Sequence, residues 1–267
     1  MQKTNLFATL CEKINHIQLI LLLCGEASVG TEWAGESISP MYSRLYYIKS
    51  GSSYITVNNT PILLSPGKWY LLPADCSFYY ACEKRMEHIF FHLKLCDLGG
   101  ADLLRECPFP LSMKGNLEID SLTKYVRSDN IANGLKLRHI IYDVLFSILE
   151  KYNIPIKSNE FSPCVIKAVQ YIQQNLSMKL TISEIAEQVF VSPSTLTKNF
   201  KKELSLSVNH YIFDAVMSKA SQLLLTGNLP ILSISEELGF SDQFYFSRRF
   251  KEKFGKSPRE YRKSIIV

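Results

Sequence analysis

ISEELGFSDQFYFSRRFKEKFGKSPREYR, spanning Ile234–Arg262, is the stretch that decides the fold of the C-terminal part of this chain. A related stretch, ISEIAEQVFVSPSTLTKNFKKE, lies upstream at Ile182–Glu203. When Ser192–Tyr211 is laid over Asp242–Tyr261 at an offset of 50, the identical pairs are Phe200/Phe250, Lys201/Lys251, Ser207/Ser257 and Tyr211/Tyr261. Internal repetition indicates one structural unit used twice, and the apolar spacing in each copy predicts a short helix, a tight turn and a second helix.

Helix-start signals divide the region that follows residue 161. Ser162-Pro163 and Ser192-Pro193 each place a capping serine before a proline at the first helical position. A longer helix follows Ser207 and ends near Gly227. We expect this region to be all-helical, and its predicted inward-facing residues are Val165, Ala168, Val169, Ile172, Leu176, Ile182, Ile185, Ala186, Val189, Leu196, Phe200, Tyr211, Ile212, Ala215, Val216, Ala220, Leu223 and Leu224.

The second helix of each copy carries residues suited to reading a DNA duplex. The N-terminal end of such a helix meets base edges in the major groove, where hydroxyl, basic and aromatic side chains can all contact bases. The predicted base-reading residues are Ser194, Thr195, Thr197 and Lys198 in the first copy and Gln243, Phe244, Tyr245, Ser247 and Arg248 in the second. The predicted phosphate contacts are Lys201, Lys202, Arg249 and Lys251. The alternative is that these are ordinary exposed residues of a helical bundle.

The charge of the chain is distributed unevenly. Residues 162–267 carry 14 Lys and Arg against 9 Asp and Glu, whereas residues 1–161 carry 16 of each kind. A localised positive surplus favours a polyanionic partner, because neutralising phosphates releases counterions. A solvated basic face would give the same count, but the surplus coincides with the repeat and so favours double-stranded DNA.

The two quoted stretches resemble the DNA-binding domain of the AraC/XylS family of bacterial transcription regulators, and the resemblance covers residues 162–267. It implies a bihelical domain with helix-turn-helix units at 182–204 and 231–254, whose second helices enter successive major grooves. The first unit departs from the family pattern at Ser205, where Gly is usual, and at Val216, where Arg is usual.

The region from Arg44 to Leu95 alternates short β-rich runs with turn residues such as Asn58-Asn59 and Ser65-Pro-Gly67. The runs are RLYYIK, SYITV, PILL, WYLL, SFYY and EHIFFHLKL. The apolar run Ile17–Cys24 cannot cross a bilayer, which needs about 20 helical residues, and is predicted to be a buried strand. This spacing predicts an antiparallel sandwich or barrel. The segment SPGKWYLLPADCSFYY also resembles the cupin-like sensor domains of many family members, which implies a β-barrel.

An apolar stripe predicts a helix from near Leu135 to Lys151, and its members are Leu137, Ile140, Ile141, Val144, Leu145, Ile148 and Leu149. The stripe can pack on its own sheet or form a seam between two subunits, and the sequence leaves both open. Residues 153–161 lack helical periodicity and are predicted to be a linker. The predicted fold is therefore α+β and multidomain, with a cupin-like sensing and dimerisation domain at 1–152 and the helical extension within it, followed by the bihelical domain at 162–267.

Aromatic and histidine side chains in the β region form the candidate effector pocket. Small-ligand pockets are lined by aromatic groups with a few polar ones, although core packing alone would also require aromatic residues. The candidates are Trp33, Tyr46, Tyr54, Trp69, His88 and His92. His88 and His92 would share one strand face, as metal ligands do in cupin enzymes. However, residues 46–65 contain no His, Asp or Glu, so we expect no metal site.

Seven cysteines without metal-ligand spacing indicate reduced thiols in the cytoplasm, and they are Cys11, Cys24, Cys76, Cys82, Cys96, Cys107 and Cys164. We therefore predict a cytoplasmic transcription regulator with no catalytic residue and no cofactor. Its expected partners are double-stranded promoter DNA, a small-molecule effector such as a sugar, a second copy of the chain and RNA polymerase, but no membrane. The alternatives are a metal-dependent cupin enzyme with an appended helical domain and a thiol-based redox-sensing regulator.

Overall fold

The computed structural model describes residues 10–11, 14–37, 42–105, 107–115, 119–156, 161–227 and 229–263. The chain divides into two compact units. The N-terminal unit comprises Gln18–Cys96 and Asp102–Lys157, and the C-terminal unit comprises Ser158–Val267 with Asp97–Ala101 and the residues up to Ile17. The domain limits predicted at residues 152 and 162 stay a prediction, because residues 157–160 of the linker lie outside the described ranges.

The described strands of the N-terminal unit form two antiparallel sheets. They are β1 (Gln18–Val29), β2 (Ala34–Ser37), β3 (Ser43–Gly51), β4 (Ser53–Val57), β5 (Thr60–Leu64), β6 (Lys68–Leu72), β7 (Phe78–Ala81), β8 (Met86–Cys96) and β9 (Leu111–Lys114). The larger sheet has the order β1-β8-β3-β6-β9 and the smaller one the order β2-β7-β4-β5. Tyr46 and Ile48 from the larger sheet share a hydrophobic cluster with Ile55 and Phe78 from the smaller one. The antiparallel architecture is confirmed, whereas closure into a barrel stays a prediction.

The predicted turns have the backbone conformations that their residues favour. Asn58 and Asn59 join β4 to β5 with φ angles of 47° and 61°, the left-handed values that a two-residue hairpin needs. Pro61 lies within β5, which is an edge strand and so tolerates a residue without an amide hydrogen.

Two helices complete the N-terminal unit, α1 (Ile119–Val126) and α2 (Ile131–Lys151). α2 begins before the predicted Leu135, because Asn130 caps it by accepting a hydrogen bond from the Ala132 amide at 2.8 Å. The predicted stripe is buried except for Ile140, which is half-buried. Tyr142 holds α2 to β1, since its hydroxyl accepts from the Leu19 amide at 3.0 Å. The sequence did not predict β2, β9 or α1.

The C-terminal unit is helical, as predicted. Its helices are α3 (Pro163–Gln174), α4 (Ile182–Gln188), α5 (Pro193–Leu204), α6 (Val208–Thr226), α7 (Ile231–Glu237), α8 (Gln243–Phe254) and α9 (Pro258–Lys263). Ser162 and Ser192 cap α3 and α5 by accepting from backbone amides three residues on. Every residue predicted to face inward belongs to one hydrophobic core or packs against it. Within the described ranges, no helix is both long and apolar enough to span a membrane.

Candidate DNA interface and ligand site

Each helix-turn-helix unit consists of a short helix and a capped second helix, α4–α5 and α7–α8. α4 begins with a capping box, in which the Thr181 amide donates to Glu184 Oε2 at 2.7 Å and the Glu184 amide to Thr181 Oγ1 at 3.2 Å. α8 is capped by Asp242, whose Oδ1 accepts from the Tyr245 amide at 2.7 Å. Side-chain caps therefore satisfy some of the free amides at the starts of α4, α5 and α8, whereas α7 begins after Pro230 without a side-chain cap.

Buried side chains fix the rotation of each second helix about its axis. Leu196 and Phe200 in α5, and Phe246 and Phe250 in α8, are fully buried. The Phe250 ring lies 5.2 Å from the Tyr261 ring, measured between centroids. Because residues four apart share one helix face, these two pairs turn the neighbouring positions at the start of each helix outward.

The start of α5 presents small polar side chains and one cation. The exposed residues are the predicted Ser194, Thr195, Thr197 and Lys198. Ser194 Oγ lies 2.9 Å from Ser192 Oγ, and Thr197 Oγ1 donates to the Pro193 carbonyl at 2.8 Å. These hydroxyls are already engaged with the helix terminus, so Lys198 is the long side chain of this surface.

The start of α8 presents a larger, aromatic surface. Phe244 is 85% exposed and Tyr245 37% exposed, Arg248 is exposed, and Gln243 and Ser247 are half-buried. The guanidinium carbon of Arg248 lies 5.5 Å from the centroid of the Tyr245 ring, within the range of a cation–π contact. An open groove of about 450 Å³ is lined here by Ser241, Asp242, Phe244, Tyr245 and Arg248.

Three of the four predicted phosphate contacts are exposed, namely Lys201, Lys202 and Lys251. Arg249 is the exception, because its guanidinium donates to Glu252 at 2.6 Å and lies 4.4 Å from the centroid of the Phe213 ring in α6. In the structure Arg249 joins α8 to α6, and its contact with phosphate stays a prediction. Lys253, which the sequence did not single out, strengthens the same junction by donating to Asp214 at 2.7 Å.

In the N-terminal unit, three of the predicted pocket residues come together. The His88 ring lies 6.1 Å from the Trp33 ring and 5.1 Å from the Tyr46 ring, measured between centroids, and all three side chains are buried. His92 lies two residues from Phe90 on the same face of β8 and stacks on Tyr42 with ring centroids 4.6 Å apart. These residues form one candidate ligand site.

Arg44 belongs to the candidate ligand site, and sequence reasoning missed it. The register of β3 on β8 places Arg44 opposite His92, and its guanidinium carbon lies 5.4 Å from the Tyr42 ring centroid. Burial acts to lower the pKa of Arg44, but Tyr46, Tyr42 and Tyr80 hold it above its ordinary value. The alternation of side chains along a strand could have identified Arg44 from the sequence, because Arg44 and Tyr46 are two residues apart and so face the same side.

Both histidines of the candidate ligand site are neutral near pH 7. Burial lowers the pKa of His88 to about 4, and burial together with the charge of Arg44 holds the pKa of His92 well below its usual range. The Nδ1 atom of each ring is buried and has no hydrogen-bond partner within the described residues. A neutral imidazole can donate or accept one such bond, so both atoms are suited to a polar ligand group.

Trp69 and Tyr54 lie apart from the other four residues predicted to line the effector pocket. Trp69 pairs with Tyr47 across β6 and β3, one position out of step with Tyr46, so it lies on the opposite face of the larger sheet. Its ring is 4.9 Å from the Tyr47 ring between centroids. Tyr54 is 36% exposed, because the neighbouring Ile55 takes the buried position in β4.

The described residues give little support to the two alternative functions, a metal-dependent cupin enzyme and a thiol-based redox-sensing regulator. No three His, Cys, Asp or Glu side chains of the described part of the chain are grouped as a metal site. Burial raises the pKa of Cys24, burial and the charge of Asp75 raise that of Cys76, and burial raises that of Cys107 to about 11. Since thiolate is the reactive form of cysteine, these three thiols are poorly suited to redox sensing.

Comparisons with known proteins agree with an N-terminal β unit followed by a helical C-terminal unit. Residues 185–264 match a family described as a helix-turn-helix domain. The chain is 27% identical over 233 residues to the Msm operon regulatory protein of Streptococcus mutans, covering 83% of this chain and 84% of that protein. It is 27% identical over 251 residues to the raffinose operon transcriptional regulatory protein RafR of Pediococcus pentosaceus, covering 88% and 89%. The crystal structure of wild-type ToxT from Vibrio cholerae with a bound unsaturated fatty acid has the same fold, with a TM-score of 0.53 and 15% identity over 90% of this chain and 94% of ToxT.

Proposed function

We propose that this chain, which resembles the AraC/XylS family of transcription regulators, binds double-stranded promoter DNA by placing α5 and α8 in successive major grooves. The observation that carries the proposal is the repeat, since each second helix is capped, anchored by two buried side chains and exposed at its start. A small-molecule effector held by the N-terminal unit would control this binding through its different affinity for two states of the protein.

The exposed residues divide by the chemistry of their side chains. Lys198 and Arg248 are the proposed guanine readers, with contacts to neighbouring bases from Ser194, Thr195, Thr197, Gln243, Phe244, Tyr245 and Ser247. Lys201, Lys202 and Lys251 are the proposed phosphate contacts, which fix the position of the protein on DNA without reading its sequence.

Selection from random duplex DNA tests this proposal. At about 150 mM salt, which suppresses nonspecific phosphate binding, we expect a motif of two short elements separated by about 10 base pairs. Arg248→Ala should relax one element and Lys198→Ala the other. Lys167→Ala, at an exposed position of α3, is the control and should leave both elements intact. Failure of the wild-type chain to enrich any sequence would refute the proposal.

The candidate ligand site supports a polar effector. The Nδ1 atoms of His88 and His92, which have no partner among the described residues, can hydrogen-bond a ligand beside the aromatic surface of Trp33. The cation of Arg44 lies opposite His92, and this combination suits a sugar. RafR, named for a raffinose operon, makes oligosaccharides the first compounds to test. In calorimetric titrations, Trp33→Phe should weaken binding, whereas Trp69→Phe, on the other face of the sheet, should not. Equal effects of the two changes would contradict this site.

A second copy of the chain is the proposed partner of α2. Ile131 is 83% exposed, Leu135 64% and Phe146 38%, and helical geometry places all three on one side of the helix. Exposed apolar stripes of this kind are typical of interfaces, and a twofold pair would cover both copies with the same residues. We expect Leu135→Asp to lower the sedimentation coefficient to that of a monomer, and Ile156→Asp, outside the helix, to leave it unchanged.

RNA polymerase is the remaining proposed partner, and the cytoplasm the proposed location, because promoter DNA and polymerase meet there. Transcription in vitro from a promoter beside the selected motif tests this partner. A polymerase contact predicts that the rate changes with the spacing between the motif and the promoter, even where the chain's affinity for the motif is constant.

A further inference from the structure

We propose that the second helix-turn-helix unit reads a thymine beside a guanine, with Phe244 covering the thymine methyl group and Arg248 donating to the guanine. The inference rests on the proposed DNA-binding function and adds a base preference to it. Phe244 would then distinguish thymine from the other bases by a single methyl group.

The exposure of Phe244 is the first observation that supports a thymine contact. Its ring is 85% exposed although the next aromatic residue of the same helix, Phe246, is fully buried. Covering exposed apolar surface with a partner's apolar group is favourable. Phe244 lies in the first turn of α8, the part of a recognition helix that meets base edges. The thymine methyl is the apolar group that the major groove offers there, whereas guanine and cytosine present hydrogen-bonding atoms.

Arg248 provides the second contact on the same face of the helix. It follows Phe244 by four residues, a spacing that brings the two Cβ atoms within about 6 Å. Base pairs are stacked about 3.4 Å apart, so the two side chains can reach neighbouring pairs. The Tyr245 ring, 5.5 Å from the guanidinium carbon, restrains the side chain, and the planar guanidinium fork matches the two acceptors of guanine.

Asp242 positions these residues and does not itself read bases. Its Oδ1 accepts from the Tyr245 amide at 2.7 Å, and its Oδ2 accepts from the Ser241 hydroxyl at 3.2 Å. The hydrogen bond from Tyr245 is the main cause of a lowered pKa, to which Arg248 also contributes. The carboxylate is therefore committed to the cap, and the groove that it lines is left to Phe244 and Arg248.

The first unit offers an internal comparison. At an offset of 50, Ser194 stands where Phe244 does and Lys198 where Arg248 does. Ser194 is small, and its hydroxyl is within 2.9 Å of Ser192 Oγ. This unit has no aromatic group at the equivalent position, so the dependence on a thymine methyl that Phe244 confers should be confined to the element bound by the second unit.

Modified DNA tests the inference with the full chain. In the selected duplex, each thymine is replaced in turn by uracil, which removes only the methyl group. At one position in the second element, wild-type binding should weaken about fourfold, the effect of exposing one buried methyl. Replacing the neighbouring guanine by 7-deazaguanine should weaken binding by at least about fivefold. Uracil in the first element should change the binding of the wild type and of Phe244→Ser to the same extent.

Variants assign each effect to its side chain. Phe244→Ser, which copies the first unit, should bind the uracil and thymine duplexes equally, and Arg248→Ala should be indifferent to 7-deazaguanine. Circular dichroism checks that both variants remain folded. A uracil penalty that persists in Phe244→Ser, or is absent from the wild type, would overturn the inference. If the wild-type chain selects no sequence at all, the proposed function itself fails, which is a different outcome.

Discussion

Exchanging Ser205 for glycine should stabilise the C-terminal unit. Ser205 ends α5 in the left-handed conformation with φ of 57°, the role that Gly255 fills at the end of α8 with φ of 72°. An L-residue in this region costs about 1–2 kcal/mol, whereas glycine loses about 0.5–1 kcal/mol more backbone entropy on folding. The difference predicts that Ser205→Gly raises the free energy of unfolding by about 0.5–1 kcal/mol.

The reverse exchange, from glycine to a residue with a Cβ at Gly255, should lower the free energy of unfolding. A Cβ added to Gly255 would meet no atom within 4 Å, so Gly255→Ala isolates the backbone cost and should destabilise the unit by about 1 kcal/mol. Ser183→Gly, at an exposed position inside α4, is the chemical control and should also destabilise, by about 0.5 kcal/mol.

Urea unfolding followed by far-ultraviolet circular dichroism measures all three variants, because the C-terminal unit is all-helical. The midpoints should shift while the m-value stays constant. If Ser205→Gly were neutral or destabilising while Gly255→Ala behaved as expected, the two helix ends would not be energetically equivalent, and the argument from the repeat would be refuted.

Three further predictions concern Gly239, Lys253 and His88. Gly239→Ala should cost more than Gly255→Ala, at least about 2 kcal/mol, because φ is 78° and the new Cβ would collide with the Ser177 hydroxyl; the same urea titration measures it. Lys253→Met should destabilise the C-terminal unit by about 0.5–1 kcal/mol by removing its ion pair with Asp214, and a double-mutant cycle with Asp214→Asn should show that the two losses are not additive. Because the pKa of His88 is about 4 when folded and 6.5 ordinarily, the unfolded chain takes up the proton first as pH falls from 6.5 towards 4. Stability should therefore drop over that interval, by up to about 3 kcal/mol, and calorimetry should show a smaller drop for His88→Gln.

Local signals predicted the C-terminal unit well, and the reason is physical. Ser162 and Ser192 cap helices through bonds to amides three residues away, and the inward faces follow from a period of 3.6 residues. Arg249 shows where local reasoning ends, since its partner Phe213 is 36 positions earlier in the chain. An exposed cation and one stacked on a distant ring have the same sequence pattern.

The candidate ligand site was predicted only in part, because it depends on strand register. Tyr46 pairs with Tyr70, and Tyr47 with Trp69, so a single step along β6 decides whether Trp69 faces His88 or the opposite side. Register is set by strand pairs distant in sequence. The four-residue strand β9 is similarly defined by its pairing with β6, since its own residues carry no strong alternation.

The separation of the two tryptophans gives the protein a built-in optical reporter. Trp33 and Trp69 are the whole tryptophan content of the chain, and both lie in the N-terminal unit. Trp33 packs against one face of the larger sheet, and Trp69 lies on the other face. Emission from a Trp69→Phe protein would come from the indole beside His88 alone. Since the C-terminal unit contains no tryptophan, a change in that emission when operator DNA is added would show that DNA binding alters the ligand site, and the shift in effector affinity in the presence of DNA would then give the strength of the coupling.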